Sequence, residues 1–173
     1  MSENLILIVD EHDNPIGAAS KEEAWREGLW HRIVHVVVED EQGRILLQKR
    51  SKRMELQPGR WTDSASGHVD AAEAYETAAR REYCEELGQT ECGELTELGM
   101  RTQQSESEGR KLNRFHKYYR ARVRNEDFVP NIQETEVDKV MWVTVRKLHD
   151  LADNNRDEVT ASVPFIAEKY YPL

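Results

Sequence analysis

Aliphatic residues recur along the chain in short runs separated by polar, turn-forming segments, a pattern that predicts strands interleaved with helices. The predicted strands are 5–9, a return strand after a turn at 10–17, 33–39, 45–49, 94–102, 112–123 and 140–145. The run Asp40-Glu41-Gln42-Gly43 predicts a hairpin between two of them. The polar segments 51–60 and 103–111 are expected to be a surface loop and a mobile connection, respectively.

Three helices are predicted besides the one that carries the candidate chemistry. Ser20, with a Glu three residues later, has the spacing of a capping box, and Gly28 ends that helix. Near the C-terminus, residues 147–153 and a segment after Ser162, with Pro164 near its first turn, are also predicted to be helical.

The remaining helix is predicted at 74–87, a segment without Gly or Pro that is followed by Gly88. An apolar line at i, i+4 spacing is expected to pack on the core: Tyr75, Ala79, Tyr83 and Leu87. On another face, Glu82, Glu85 and Glu86 fall within a stripe about 100° wide. Crowded carboxylates repel one another, so this stripe is either a solvated acidic surface or a site for a hard divalent cation.

Composition limits the class of protein. A chain of 173 residues with 38% hydrophobic and 33% charged residues predicts one polar-surfaced domain over 1–173. The net charge of −9 argues against a protein that binds nucleic-acid backbones in general. No apolar run approaches a membrane span and no signal-peptide pattern is present. Cys84 and Cys92 do not suggest a disulfide framework, so a cytoplasmic location is expected.

The spacing of the whole segment around the acidic helix resembles the signature of the Nudix hydrolases. Gly67, Glu73 and the run Arg81-Glu82-Tyr83-Cys84-Glu85-Glu86-Leu87-Gly88 meet every fixed position of that 23-residue pattern. The one departure is Gln89, where the family usually has an aliphatic residue, and it concerns packing after the helix. The resemblance implies an α/β fold, an α/β/α sandwich with a mixed β-sheet. It also implies Mg²⁺- or Mn²⁺-dependent hydrolysis of a diphosphate linkage, that is, a pyrophosphatase acting on a nucleoside diphosphate derivative or another small organic diphosphate.

Roles for individual residues follow from the same resemblance. Gly67 would turn the loop and offer its carbonyl to a metal ion whose carboxylate ligands would be Glu82, Glu85 and Glu86. Glu73 and Arg81 would be structural, with Arg81 pairing with a carboxylate of the signature.

Three residues outside the signature complete the predicted site. Arg50 is expected near the diphosphate, which a guanidinium can bind bidentately. The general base would be Glu82 or a carboxylate from a late loop, either Glu134 or Glu136. The sequence does not determine the oligomeric state, although the resemblance makes a homodimer plausible.

The first half of the chain further resembles one branch of the superfamily, the isopentenyl diphosphate isomerases and their hydrolase-like relatives. The matching runs are Leu46-Leu47-Gln48-Lys49-Arg50-Ser51 and Pro58-Gly59-Arg60-Trp61-Thr62-Asp63-Ser64. The isomerase needs a Cys as its acid, yet alignment through Trp61 and Gly67 places Ser66 there, and a hydroxyl is a far weaker acid than a thiol.

The metal ligands of the isomerase are replaced as well. Trp25 stands at its first histidine position, and its pair of glutamates falls at Leu112-Asn113-Arg114. Loss of the isomerase chemistry is therefore expected. Two alternatives to a hydrolase remain open: an isomerase-like protein with altered residues, and a binding or regulatory Nudix domain without catalysis. Of the histidines, His35 is expected to be packed or hydrogen-bonded, whereas His12, His116 and His149 are expected to be surface or sheet residues without clear partners.

Overall fold

The computed structural model describes residues 5–173, and it is built from nine strands and four α-helices within that range. Residues 1–4 of the predicted single domain lie outside the described residues. The strands are β1 (Ile6–Val9), β2 (Pro15–Ala19), β3 (His31–Asp40), β4 (Ile45–Arg50), β5 (Trp61–Thr62), β6 (Ala65–His68), β7 (Leu95–Ser107), β8 (Arg110–Val123) and β9 (Val137–Val143). The α-helices are α1 (Lys21–Glu27), α2 (Tyr75–Leu87), α3 (Val145–Asn154) and α4 (Ser162–Tyr170), with a 3₁₀ turn at Arg156–Glu158.

All nine strands form one mixed sheet organised around β3. One edge of β3 pairs in parallel with β8, from His31 opposite Arg114 to Asp40 opposite Val123. The other edge meets β1, β6 and β4 in succession, all antiparallel. A short connection joins the end of β6 to α2. This arrangement therefore places the start of the central helix beside the middle of the sheet.

Helices cover both faces of the sheet, which confirms the predicted α/β/α sandwich. Alternate residues of β3 point to opposite sides, so Val36 packs in the core with α2 while Val37 packs in the core with α3 and α4. The predicted apolar line of the central helix is confirmed, because its four members are buried in the first core: Tyr75, Ala79, Tyr83 and Leu87. Within residues 5–173, no helix combines the length and the apolar character that a bilayer crossing would need.

Local capping follows the sequence closely. Ser20 Oγ accepts a hydrogen bond from the amide of Glu23 at 3.1 Å, and Gly28 ends α1 in the left-handed conformation with φ 71°. Helix α2 begins after Ala74 and also ends at a left-handed glycine, Gly88.

The prediction that residues 103–111 separate the two strands is wrong. Strand β7 continues to Ser107 and β8 begins at Arg110, with Gly109 in the tight turn between them at φ 74°. The segment lacks apolar residues, but its register with β8 runs unbroken from Gln103 opposite Arg114 to Ser107 opposite Arg110. Backbone pairing therefore holds this hairpin where side-chain burial does not.

Candidate active site

The candidate site is a cavity of about 730 Å³ between α2, the β7–β8 hairpin, α1 and the loop after β4. Charged side chains of both signs line it. They include the carboxylates of Glu82, Glu85 and Glu136, and the guanidinium groups of Arg114 in β8 and Arg101 in β7. Both signs of charge face one small volume, which is typical of sites for charged organic molecules.

Two of the three predicted glutamates are buried. Glu82 and Glu86 are 8% and 3% exposed, whereas the Glu85 side chain is about half exposed. Glu86 Oε2 accepts hydrogen bonds from Gln48 Nε2 at 2.7 Å and from the Ser66 amide at 3.2 Å. Burial raises the pKa of Glu82 to about 7, against the opposing effect of Arg81. Burial and the charge of Glu82 raise the pKa of Glu86 well above its usual range.

Arg81 ties the acidic residues together. Its Nε and Nη2 donate to the two carboxylate oxygens of Glu73, each at 2.8 Å, in a fork-to-fork pair. Its Nη1 donates to Glu82 Oε1 at 2.7 Å and to Glu85 Oε2 at 3.3 Å. Nη2 also donates to the carbonyl of His68 at 3.0 Å, which links α2 to the end of β6. One guanidinium thus orients three of the carboxylates in this segment.

Gly67 does not turn a loop, and this part of its expected role is corrected. It lies within β6, opposite Val34 of β3, in strand conformation. A Cβ at this position would be 2.0 Å from Glu82 Oε1. A side chain here would therefore displace the Glu82 carboxylate, which packs directly against the strand backbone.

The donor set fits a hard divalent cation, although the side chains of residues 5–173 do not converge closely enough to form a metal site as they stand. Carboxylates and a backbone carbonyl are the oxygen ligands that Mg²⁺ prefers. The pKa values of the two neighbouring buried carboxylates, Glu82 and Glu86, stay raised although Arg81 pairs with Glu82, and a further positive charge would favour their ionised forms. Glu82 and Glu85 are held by Arg81 and would have to turn from it to share a ligand.

The residues predicted outside the signature fall in different places. Arg50 lines the cavity, where its Nε and Nη2 donate to the carbonyl of Leu56 at 3.1 and 3.0 Å. Glu136 also lines the cavity, whereas Glu134 is exposed and is not part of the cavity wall. Of the two late-loop carboxylates, only Glu136 is brought together with the glutamates of α2.

A buried polar chain at the cavity floor was not predicted. His35 Nδ1 bonds to Asp63 Oδ2 at 2.9 Å, His35 Nε2 to His116 Nδ1 at 2.8 Å, and His116 Nε2 to Gln103 Oε1 at 2.8 Å. The expectation for His35 is confirmed, but His116 is wrongly expected to lack a partner. Burial alone would raise the pKa of Asp63, yet the neighbouring His35 holds it below the usual value. Since these partners are 28 and 81 residues from His35, no local pattern could have indicated them.

The positions that differ from the isomerase branch also line this cavity. Ser66, Trp25 and Arg114 all contribute to its wall. Arg114 Nε donates to His31 Nε2 at 3.2 Å, and the rings of His31 and His68 stack with centroids 5.4 Å apart. The cluster therefore combines neutral imidazoles with a guanidinium, where the isomerase pattern combines histidines with a pair of glutamates.

The fold and the acidic helix beside Gly67 define a class of α/β/α domain, and comparison with known proteins identifies it. The family model described as the NUDIX domain matches residues 29–163, and the chain therefore belongs to the Nudix family. Isopentenyl-diphosphate Delta-isomerase 2 of Photorhabdus laumondii is 33% identical over 158 residues, which are 91% of this chain and 87% of that protein. An uncharacterized Nudix hydrolase of Yersinia pestis is 41% identical over 81 residues, 47% of this chain and 44% of that protein. The crystal structure of DR0079 from Deinococcus radiodurans has the same fold, with a TM-score of 0.77 at 22% identity over 97% of this chain and 99% of that chain.

Proposed function

We propose that this protein is a Mg²⁺- or Mn²⁺-dependent hydrolase that cleaves the diphosphate linkage of a nucleoside diphosphate derivative or another small organic diphosphate. The observation that carries the proposal is Glu82, a buried carboxylate that lines a cavity of about 730 Å³ and packs against the backbone of Gly67, with Glu86 buried close to it. Burying two neighbouring carboxylates with only one guanidinium, Arg81, against Glu82 costs folding free energy, and a bound cation would offset this cost. The cavity volume suits a small molecule rather than a polymer.

The metal ion would be held by the carboxylates of Glu82, Glu85 and Glu86 together with the carbonyl of Gly67. When bound, it would supply Lewis-acid stabilisation of the phosphate oxygens and lower the pKa of a water molecule. Arg50 would bind the diphosphate by charge-assisted hydrogen bonds.

The remaining residues would position groups and move a proton. A carboxylate of Glu82 or Glu136 would accept the proton of the attacking water, since both line the cavity. Glu73 and Arg81 would orient Glu82 through the paired hydrogen bonds already described. Glu134 has no part in the proposed reaction because it lies outside the cavity wall.

A panel of diphosphate compounds incubated with Mg²⁺ and a coupling phosphatase would test this function. The wild type should release phosphate from at least one compound, and Glu86→Gln should lower turnover by roughly 100-fold or more. Glu168→Gln, on the exposed face of α4, is the matched control and should keep full activity. Equal activity of Glu86→Gln and wild type would contradict the role given to Glu86.

The second candidate function is isopentenyl diphosphate isomerisation, which is favoured by the 33% identity to the Photorhabdus laumondii isomerase across 91% of the chain. The residues at the cavity oppose it. Ser66 offers only a hydroxyl where an acid must protonate an unactivated alkene, and Arg114 stands where an anionic ligand is expected.

Incubation with isopentenyl diphosphate and Mg²⁺ in heavy water separates the two functions. Dimethylallyl diphosphate, or deuterium in recovered substrate, above the level of a Glu86→Gln control would establish isomerisation. Ser66→Cys should not restore it, because the residues around Trp25 and Arg114 are also changed.

Three broader features belong to the same proposal. The chain acts as a single domain over 1–173 and works in the cytoplasm, in keeping with its free Cys84 and Cys92. Its partners are its small-molecule substrate and, by family resemblance, a second copy in a homodimer. Analytical ultracentrifugation would test the dimer directly.

A further inference from the structure

Arg114 is a cavity-lining cation without an acidic partner. Within residues 5–173 it forms no ion pair, and its hydrogen bond is the one from Nε to His31 Nε2 at 3.2 Å. By contrast, Arg81 in the same cavity is surrounded by carboxylates. A partly buried guanidinium without a counter-ion is unfavourable in the free protein, so its retention at a cavity wall calls for a functional reason.

His31 fixes how this guanidinium is presented. His31 is fully buried, and its Nδ1 donates to the carbonyl of Leu29 at 2.8 Å, so Nε2 is left as an acceptor for Arg114 Nε–H. Burial lowers the pKa of His31 to about 4, which keeps the ring neutral at pH 7. With Nε engaged, the two terminal amino groups of Arg114 remain available to a ligand in the cavity.

A second cation lies close enough to reinforce the effect. Burial, and then the charge of Arg50, lower the pKa of Arg114 to about 10, so the group stays charged at neutral pH. Both side chains line the same cavity. Two like charges facing one cavity repel each other until an anion enters between or beside them.

The position of Arg114 sets it apart from the carboxylate cluster. Along β3, Gly67 pairs with Val34 and Arg114 pairs with His31 from the opposite edge. Three residues of strand separate these levels by roughly 10 Å, and the two partners stand on different sides of β3. Arg50 interacts electrostatically both with Glu86 of α2 and with Arg114, so a diphosphate held at α2 by Arg50 would leave Arg114 for the next group along the substrate.

We propose that Arg114 determines specificity by binding a second anionic group, a carboxylate or an additional phosphate, on the part of the substrate beyond the diphosphate. The assignment of the anion to a substrate rests on the proposed function, but binding of an anion by Arg114 does not require hydrolysis. It assigns the protein to organic diphosphates that carry another negative charge, rather than to those that end in a neutral or purely apolar group.

Anion binding can be measured without catalysis. In EDTA, inorganic phosphate at constant ionic strength should raise the melting temperature of the wild type, with chloride as the comparison salt. Arg114→Gln should weaken phosphate binding by roughly 10- to 100-fold, the range expected for a lost charge-assisted pair. Arg146→Gln, an exposed change outside the cavity, should leave it unaltered. Equal stabilisation of wild type and Arg114→Gln by phosphate would overturn the anion site.

Matched substrates then test specificity. UDP-glucuronate against UDP-glucose adds a carboxylate, and coenzyme A against dephospho-coenzyme A adds a phosphate. For the pair of compounds that the protein hydrolyses, the wild type should have a kcat/KM roughly 10-fold or more higher for the more anionic member. Arg114→Gln should remove that preference while changing kcat/KM for the less anionic member little, and Arg114→Lys should retain part of it.

The outcomes separate this inference from the proposed function. Hydrolysis of diphosphates with no preference that depends on Arg114 would overturn the inference and leave the function intact. Phosphate binding that depends on Arg114, without hydrolysis of any compound, would overturn the function and leave the anion site intact. A merely structural Arg114 would show itself as a lower melting temperature of Arg114→Gln in phosphate-free buffer together with undiminished stabilisation of that variant by phosphate.

Discussion

Glu82 makes the stability of the metal-free protein depend on pH in an unusual direction. Burial raises its pKa from 4.5 to about 7, so the folded state holds this proton more tightly than the unfolded state does. Its contribution is fully present below pH 4.5 and is lost as the pH rises through 7. A difference of this size corresponds to about 3 kcal/mol of unfolding free energy.

Other buried groups titrate in the same range, and their signs differ. Glu86 has a raised pKa and adds to the loss of stability as the pH rises. Burial lowers the pKa of His31, His68 and His116, and these rings therefore stabilise the fold as the pH rises towards 6.5. A single pH profile would mix both effects, so the informative quantity is the difference between wild type and Glu82→Gln.

Urea denaturation followed by tryptophan fluorescence in EDTA, at pH 4.5 and pH 7.5, measures that difference. Between the two pH values, the wild type should lose about 3 kcal/mol relative to Glu82→Gln. Glu168→Gln, an exposed change on α4, should run parallel to the wild type. A difference in unfolding free energy between wild type and Glu82→Gln that stays constant across this range would refute the premise that burial raises the pKa of Glu82 despite its pairing with Arg81.

Three further predictions concern the acidic helix. Saturating Mg²⁺ or Mn²⁺ should raise the melting temperature of the wild type but not of a variant with Glu82, Glu85 and Glu86 all changed to Gln; equal shifts by scanning fluorimetry would contradict the metal site. Arg81→Ala should lower the unfolding free energy by about 1–3 kcal/mol, because its carboxylate partners lose their donor. Urea denaturation measures this loss, and an unfolding free energy equal to that of the wild type would contradict the role given to Arg81. Gly67→Ala should weaken the stabilisation by Mg²⁺, since its methyl group would lie 2.0 Å from Glu82 Oε1; an unchanged Mg²⁺ titration would argue that this carboxylate is not a ligand.

The central helix could be predicted because its information is local. The apolar line and the acidic stripe follow the 3.6-residue period of a helix, and Gly88 marks its end. The helix α2 spans Tyr75–Leu87, within one residue of the predicted range. The reason for Gly67 is not local. Its need for a hydrogen in place of a side chain arises from Glu82, which is 15 residues away in the chain and packs against β6 only in the folded state.

The floor of the cavity shows the same limit more strongly. Residues 103–111 have the composition of a loop, and only the pairing between β7 and β8 makes them the end of a hairpin. That pairing brings Gln103 to His116, and the parallel pairing of β3 with β8 brings His116 to His35. Long-range register decides these contacts, and residue composition within a short window does not encode it.

Arg114 bears on both candidate functions through one electrostatic argument. Protonating the alkene of isopentenyl diphosphate develops positive charge on carbon at the end of the substrate remote from the diphosphate. A fixed guanidinium about 5 Å from that charge would raise the barrier by about 3 kcal/mol at an effective dielectric constant of about 20, which slows the reaction roughly 100-fold. The same guanidinium would stabilise a substrate whose remote end is anionic, and hydrolysis at the diphosphate develops no positive charge there. Arg114 in place of an anionic ligand and Ser66 in place of a thiol acid therefore both oppose isomerisation, and both agree with the proposed hydrolysis of a more highly charged diphosphate.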